Sequence, residues 1–435
     1  MKKVFFQISM MLYVSLTFVG CNWFDNDDSN DAPFLSTLGG IASRIHDMPH
    51  PFSQIKTTNV NNNEIFIKGT VSPDGSTFED RAYKYKDQGN EYVEINFASS
   101  REDLGNGRQQ FSQTLVSGPG GPVVPTDSVL IIGGITSKGI SNTAEFYNPS
   151  ENVIKSLGNL KVARYGHTVT EIKNSGTPLD GQFLVVGGMG VGQGLVRNEL
   201  VSTIELFDPM TGTFSVLNAQ LKVGREQHTA TRLADGRVLI TGGRTSSGVS
   251  NSGEIFDPAT ATFTEIPNAM ADERVFHTAL YLDNKTPTDS ADDAVLLAGG
   301  QDSMGLVNDS ADFFNPATGL FQPVNSMIPQ PIYQHAATAL PATSPHDAVL
   351  TGGMTKMPTF DESSSGVTLH ITNQVVVFDY THTSAGPDGF FTQTRDMLKK
   401  RAMHSTDSMG TNKLVILGGV DETALAHTTG EEYGF

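Results

Sequence analysis

Six times along the chain a short apolar run ends in a pair of glycines. The runs are Leu130-Ile131-Ile132-Gly133-Gly134, Leu184-Val185-Val186-Gly187-Gly188, Leu239-Ile240-Thr241-Gly242-Gly243, Leu296-Leu297-Ala298-Gly299-Gly300, Val349-Leu350-Thr351-Gly352-Gly353 and Val415-Ile416-Leu417-Gly418-Gly419. The first glycines stand at 133, 187, 242, 299, 352 and 418, so successive units are 54, 55, 57, 53 and 66 residues long. A period of this size marks one supersecondary unit written repeatedly, in which each unit needs its neighbours to cover its apolar face. Composition agrees. Of 435 residues only 17% are charged, while 44 are Gly and 21 are Pro, which excludes coiled coils and long helices; 38% hydrophobic content excludes wholesale disorder.

Each unit carries further marks in a constant order. Upstream of the glycines lies Arg-x-x-His, at Arg164/His167, Arg225/His228, Arg274/His277 and Arg401/His404, with Ile332/His335 a partial copy and Arg108/Phe111 a degenerate one. Downstream an acidic residue and an aromatic run into a turn: Glu145 to Pro149, Glu205 to Pro209, Glu254 to Pro258 and Asp312 to Pro316. A further aromatic follows at Phe214, Phe263 and Phe321. Asp or Asn before Pro opens a type I turn, because the side chain accepts a local hydrogen bond and proline fixes φ. The runs before Gly-Gly do not alternate, so they are predicted to be strands covered on both faces. Four short strands per unit, with turns between, make one antiparallel sheet.

These marks together resemble the kelch β-propeller family, and its bacterial, galactose-oxidase-like branch in particular, over residues 108–435. Phenylalanine stands where many kelch repeats place tryptophan; Trp23 is the only tryptophan. The resemblance implies an all-β propeller of four-stranded antiparallel blades. The last repeat ends at Glu431-Glu432-Tyr433-Gly434-Phe435, which matches a third strand, so its fourth strand is expected from the N-terminus, where closure removes exposed edges. Two registers are open. In one, Glu91–Phe97 completes a six-bladed ring, and the preceding residues are an accessory segment, with a small Ig-like module around Gly69–Gly75 conceivable. In the favoured one, residues 33–107 hold a worn seventh blade built from Phe52–Thr58, Glu64–Thr70, Arg81–Lys86 and Glu91–Phe97, and Phe34–Leu38 closes the ring.

In kelch propellers the first strand is innermost, so the resemblance implies that Arg108, Arg164, Arg225, Arg274 and Arg401 stand around the central mouth. There they would form an anion trap, since guanidinium offers a planar fork of donors to carboxylates, and some kelch proteins hold acidic peptides in this way. The competing reading, favoured because the residue recurs so regularly, pairs each Arg with a repeated acid (Glu145, Glu205, Glu254, Asp312) as architecture. The histidines read as packing residues, and no metal site or cofactor is expected. The loops after the glycine pairs vary and share the rim with Arg-x-x-His. Met189–Ser202 carries Arg197 and Glu199 as further candidate ligand contacts, and Met354–Asn373 is the longest.

The N-terminus reads as an address. Lys2-Lys3 precedes an uncharged, mostly apolar run from Val4 to Val19, and Phe18-Val19-Gly20-Cys21 resembles a bacterial lipoprotein processing box, with Phe18 where Leu is usual. Residues 1–20 are thus expected to be a signal peptide, Cys21 the lipidated residue, and 21–32 a polar tether; Asn22 in place of aspartate points to the outer membrane. Cys21 is the only cysteine, which excludes internal disulfides and leaves none for a galactose-oxidase-like crosslinked copper site. The net charge is −18 with no basic run, which argues against a nucleic-acid partner. The expected function is an envelope-anchored binding or scaffold lipoprotein, facing the periplasm or the cell surface, that recognises a protein or an anionic glycan. A periplasmic sugar isomerase of the mutarotase kind is the alternative.

Overall fold

The computed structural model describes residues 41–45, 48, 55–61, 64–69, 81–86, 90–97, 108–191, 199–285, 292–361, 366–383, 386–409, 413–423 and 425–434. Every regular element among them is a β-strand. Among the described residues seven sheets have four or five strands, and the other pieces are two- or three-stranded and lie in the loops. The third repeat shows the pattern: Thr229–Arg232, Val238–Thr241, Gly253–Asp257 and Thr262–Glu265 pair antiparallel in chain order.

The first strands of neighbouring sheets lie side by side. They run from Ser112–Leu115 through Thr168–Glu171, Thr229–Arg232, Thr278–Leu282 and Ala336–Ala339 to Ser405–Met409. Lys56–Asn61, the first strand of the N-terminal sheet, touches both Ser405–Met409 and Ser112–Leu115, so the cycle closes. The chain is an all-β propeller.

The core is divided among the seams between sheets. One apolar cluster joins the first and second repeats through Leu130, Ile132, Phe183 and Val185; another joins the N-terminal sheet to the first repeat through Phe66, Val129, Ile131 and Tyr147. Successive residues of a second strand therefore serve opposite seams. This explains why Val129–Ile132, Phe183–Val186 and Val238–Thr241 are buried at every position, without alternation. The phenylalanines of the fourth strands pack on those of the third, Phe214 on Phe207 and Phe263 on Phe256, with ring centroids 4.8 and 5.1 Å apart. The turns between them form as expected: Asp208 Oδ1 accepts Met210 N–H at 2.8 Å.

The glycine pairs make the joint between sheets. Gly187 and Gly188 have φ of 64° and 91°, and Gly188 N–H donates to Arg225 O of the next repeat at 2.9 Å. The same bond recurs from Gly134 to Arg164 O, from Gly243 to Arg274 O and from Gly353 to Arg401 O.

Closure departs from expectation in detail. Gly430–Gly434 is the third strand of the last repeat, and Ile41–Ile45 pairs with it as the fourth. Phe34–Leu38 lies outside the described residues, as do the signal peptide, Cys21 and the tether. The first strand of the N-terminal sheet is Lys56–Asn61, later than the predicted Phe52–Thr58. As in the favoured register and unlike the six-bladed one, Glu91–Glu94 pairs with Arg81–Lys86, where Tyr92 meets Tyr85. The chain then crosses to the next sheet, and Asn96–Phe97 adds a parallel outer strand beside Val153–Ser156.

Candidate functional site: the axial mouth

The five arginines do not face the opening. Arg108 is 1% exposed and Arg164, Arg225, Arg274 and Arg401 are 0% exposed, so each lies inside the wall. Arg164 Nη2 meets Glu205 at 2.7 Å, Arg225 meets Glu254 at 3.1 Å, Arg274 meets Asp312 at 2.7 Å and Arg401 meets Glu431 at 2.8 Å. Glu145 lies 3.4 Å from Arg108 and 3.5 Å from Lys68 of the N-terminal sheet. The other guanidinium hydrogens cap backbone oxygens of the same repeat, as Arg164 does at Gly187 O and Thr203 O, both 3.1 Å away. The acids in turn accept backbone N–H groups of the strand-to-strand crossover: Lys161 and Val162 donate to Glu205 at 2.7 and 3.1 Å. Each pair thus pins the incoming chain to its sheet. The fifth repeat lacks the pair on both sides, with Ile332 for Arg and, in the matching register, Val376 for the acid, both 0% exposed.

The histidines belong to the seams. His228, His277 and His335 meet Thr168, Thr229 and Thr278 of the preceding first strand at 2.9, 3.0 and 2.8 Å. Burial pushes His228 and His335 down to about 3, so these rings are neutral at ordinary pH. Among the described residues no group of three His, Cys, Asp or Glu side chains could hold a metal ion.

What rims the opening is the third residue of each Arg-x-x-His. Gln110, Gly166, Gln227, Phe276, Gln334 and Met403 all have φ between 51° and 62°. The motif is therefore a left-handed kink, not the extended strand that alternation would require. Backbone bonds link these residues from repeat to repeat: Gly166 N–H to Gln110 O at 3.1 Å, Gln227 to Gly166 at 2.9 Å, Gln334 to Phe276 at 3.1 Å and Met403 to Gln334 at 3.0 Å. Five of the six carry a side chain, and each such residue costs about 1–2 kcal/mol in this conformation. Strain of this kind gathers at functional positions.

The rim has two halves. On the polar half Gln227 Nε2 reaches across Gly166 to Gln110 Oε1 at 2.9 Å. A Cβ on Gly166 would lie 3.0 Å from that Nε2, so the missing side chain leaves the bridge its path. Glu226 and Arg244 exchange backbone hydrogen bonds of 3.0 and 2.8 Å, and the Arg244 guanidinium lies 5.2 Å from the centre of the Phe276 ring. Among the described residues neither the Glu226 carboxylate nor the Arg244 guanidinium makes a hydrogen bond or ion pair. Burial raises the Glu226 carboxyl, and nearby Arg244 only partly opposes it. Lys56 begins the first strand of the N-terminal sheet. The residue is exposed in part, yet the surrounding walls desolvate its ammonium enough to lower it, and its charge is felt at His167. The apolar half consists of Tyr333, Met354, Ala402 and Val420, with Phe276 and Met403 packed against them.

The loops above the apolar half are the longest. Met354–Asp361 and Gly366–Ile371 form a hairpin, and Leu369 N–H ties it to Glu422 O of the last repeat at 3.1 Å. Met304 (83% exposed), Leu306 (62%) and Met357 (44%) make an apolar crest there. Glu199 sits exposed in a two-residue strand beside Met189–Gly190, and Arg197 lies outside the described residues.

The third repeat's sheet begins at Thr229 and ends at Glu265. Residues 229–270 match the Kelch motif. The fold is a kelch-type β-propeller. The tRNA wybutosine-synthesizing protein 4 of Saccharomyces cerevisiae is 26% identical over 223 residues, 50% of this chain and 30% of that protein. The chain thus spans less than a third of that relative's length. A solved structure, that of YjhT, covers 89% of this chain and 95% of its own, with a TM-score of 0.48 and 13% identity.

Neither Lys56 nor Arg244 was singled out by motif, although each leaves a signal in the repeats. The residue after each glycine pair is Ile135, Met189, Arg244, Gln301, Met354 or Val420, with one cation among six. The residue after each His position is Ser112, Thr168, Thr229, Thr278, Ala336 or Ser405 in the repeats, and Lys56 in the N-terminal sheet.

Proposed function

We propose that the protein is a binding or scaffold lipoprotein of the bacterial envelope whose axial mouth takes a carboxylate-bearing segment of a protein or glycan partner. The kelch propeller fold supports a protein-binding scaffold role. The observation that carries the finer reading is the pair of cations at the rim, Arg244 and Lys56, without ion-pair partners among the described residues in a chain of net charge −18. A guanidinium stacked on an aromatic ring holds its donors in a fixed plane, and a carboxylate can take two of them at once. The apolar half of the rim and the Met304–Met357 crest suit an adjoining apolar side chain, because methionine adapts to varied surfaces. The isomerase alternative has no observation in its favour, since the arginines it would have drawn on are inside the wall.

Titrating the full chain without its signal peptide against acidic peptides and anionic sugars tests this reading. Arg244→Gln and Lys56→Gln are each expected to weaken binding about tenfold, as loss of one charge-assisted contact implies, with unchanged melting. Equal binding by wild type and the double variant would overturn it. Anchoring has its own test. Cys21→Ser is expected to move the protein from the sedimented envelope to the soluble fraction, and a variant that still sediments would end the lipid-anchor reading.

A further inference from the structure

The first strands run from the axial rim toward the opposite face. The fourth residue after each His position lies near their far end, roughly 13 Å beyond the histidines. In the six repeats this position carries Leu115, Glu171, Arg232, Tyr281, Ala339 and Ser408. The wall arginines recur because every repeat makes the same architectural demand; this position does not recur. Here the second and third repeats place an acid and a cation side by side. Glu171 is 4% exposed and held by three donors: Ser117 Oγ–H and Arg232 Nη1 (3.2 Å) to Oε2, and Gly118 N–H to Oε1 at 2.7 Å. Lys173 stands beside them, its Nζ donating to Ser117 O at 3.1 Å.

Arg232 is used differently from the wall arginines. Arg274 is 0% exposed and commits Nη1 to Gly299 O and Ser310 O, and Nη2 to Ser310 Oγ and Asp312. Arg232 meets Glu171 through Nη1 alone, and a third of its side chain is exposed. Among the described residues its Nε and Nη2 make no hydrogen bond. Arg232 lines a cavity of about 280 Å3 between the first strands of the first three repeats. Thr114 and Thr170 line it too, and among the described residues neither hydroxyl makes a hydrogen bond. Leu115, Val169 and Ala230 add apolar surface.

We propose that this cavity is a second ligand site, separate from the axial mouth, that takes a small hydroxylated carboxylate about the size of one sugar ring. It goes beyond the binding reading and does not depend on it. Its volume of about 280 Å3 falls just under the roughly 300–1,000 Å3 of sites for drug-sized ligands, which suits a smaller molecule. Glu171, itself fixed by Ser117 and Gly118, holds one corner of the guanidinium. The Nε and Nη2 edge is left as a planar fork, which a carboxylate takes with two parallel bonds. Lys173 and Arg232 outnumber the one acid, so the local charge favours an anion in a chain of net charge −18. The Thr114 and Thr170 hydroxyls can donate and accept, as ligand hydroxyls require, and the apolar surface suits the C–H face of a ring.

Titrating the full chain carrying Arg244→Gln and Lys56→Gln, which removes the cations of the axial mouth, isolates the site. Glucuronate is expected to bind that protein about tenfold more tightly than glucose, which lacks the carboxylate, or cyclohexanecarboxylate, which lacks the hydroxyls. Adding Arg232→Gln is expected to weaken glucuronate about tenfold, and adding Thr170→Val about threefold. Because Arg232→Gln leaves Glu171 without its cation, melting is followed in parallel. Thr170→Val keeps that pair intact and carries the test if the arginine variant does not fold. Equal affinity for the three probes, or glucuronate binding unchanged by both substitutions, would overturn the site. Glucuronate binding by wild type that disappears with Arg244→Gln and Lys56→Gln would place the anion at the axial mouth and overturn it as well.

Discussion

Replacing Arg274 alone by isoleucine is expected to destabilise the propeller by about 3–5 kcal/mol, while replacing Arg274 and Asp312 together by isoleucine and valine restores most of the loss. The single change leaves the Asp312 carboxylate 1% exposed and without its partner, and a buried charge has no good alternative to pairing. The double change copies what the fifth repeat already contains, Ile332 over Val376. Removing both charges also removes the cost of desolvating them, so two well-packed apolar side chains can substitute for the pair. Denaturant unfolding of the two single variants and the double variant gives the coupling directly. A double variant as unstable as the sum of the singles would show that the arginine's bonds to Gly299 O and Ser310 O, at 2.7 and 2.9 Å, matter more than the ion pair.

Gly187→Ala should be worse. At φ 64° any side chain is strained, and a Cβ there would lie 2.4 Å from Arg225 O and 2.7 Å from His228 Cε1 of the next repeat. Neither neighbour can move without opening the joint that Gly188 N–H and Arg225 O make. Strain, overlap and the lost bond together come to roughly 3–6 kcal/mol. Gly176 is the matched control: its φ is 66° but nothing lies within 4 Å of the added carbon, so Gly176→Ala carries the strain alone, about 1–2 kcal/mol. Melting of the two variants side by side separates the effects. If both fall equally, close approach between sheets is not the reason for the glycine pair.

Much of this architecture was legible before any coordinates, because it rests on residue types with few alternatives. The glycine pairs, the Asp-Pro turns and the phenylalanines after them each answer a local geometric demand, and the third-strand match at Glu431–Phe435 pointed to an N-terminal closing strand. The closing strand itself, Ile41–Ile45 (IASRI), carries no strong pattern, and its register comes from pairing with Gly430–Gly434. The kelch resemblance implied arginines around the opening, whereas their regular recurrence favoured pairing with the repeated acids, and the ion pairs follow the second reading; what the sequence did not show is the kink that turns them inward. That kink is a left-handed residue at Gln110, Gln227, Phe276, Gln334 and Met403, and none of those residue types announces such a conformation. Only Gly166 does. The kink turns the guanidinium into the wall and leaves the rim to residues that vary between repeats, which is why Arg244 and Lys56 carry no motif.

The rim also separates two demands that one residue could not meet. The wall arginines hold the sheets together with charges sealed from solvent, so altering them tests folding. Arg244 and Lys56 form no ion pair among the described residues, although Glu226 lies beside Arg244, so altering them tests recognition.

The seams are not all alike around the circle. Three seams between repeats share a threonine hydroxyl against an imidazole, at Thr168/His228, Thr229/His277 and Thr278/His335, and four share a glycine N–H against the backbone oxygen of Arg164, Arg225, Arg274 or Arg401. The N-terminal sheet is cut differently on its two flanks, with Lys68 against Glu145 on one and Thr57 against Asp407 on the other. Its two flanks therefore differ, and the contacts that close the circle are not interchangeable with each other.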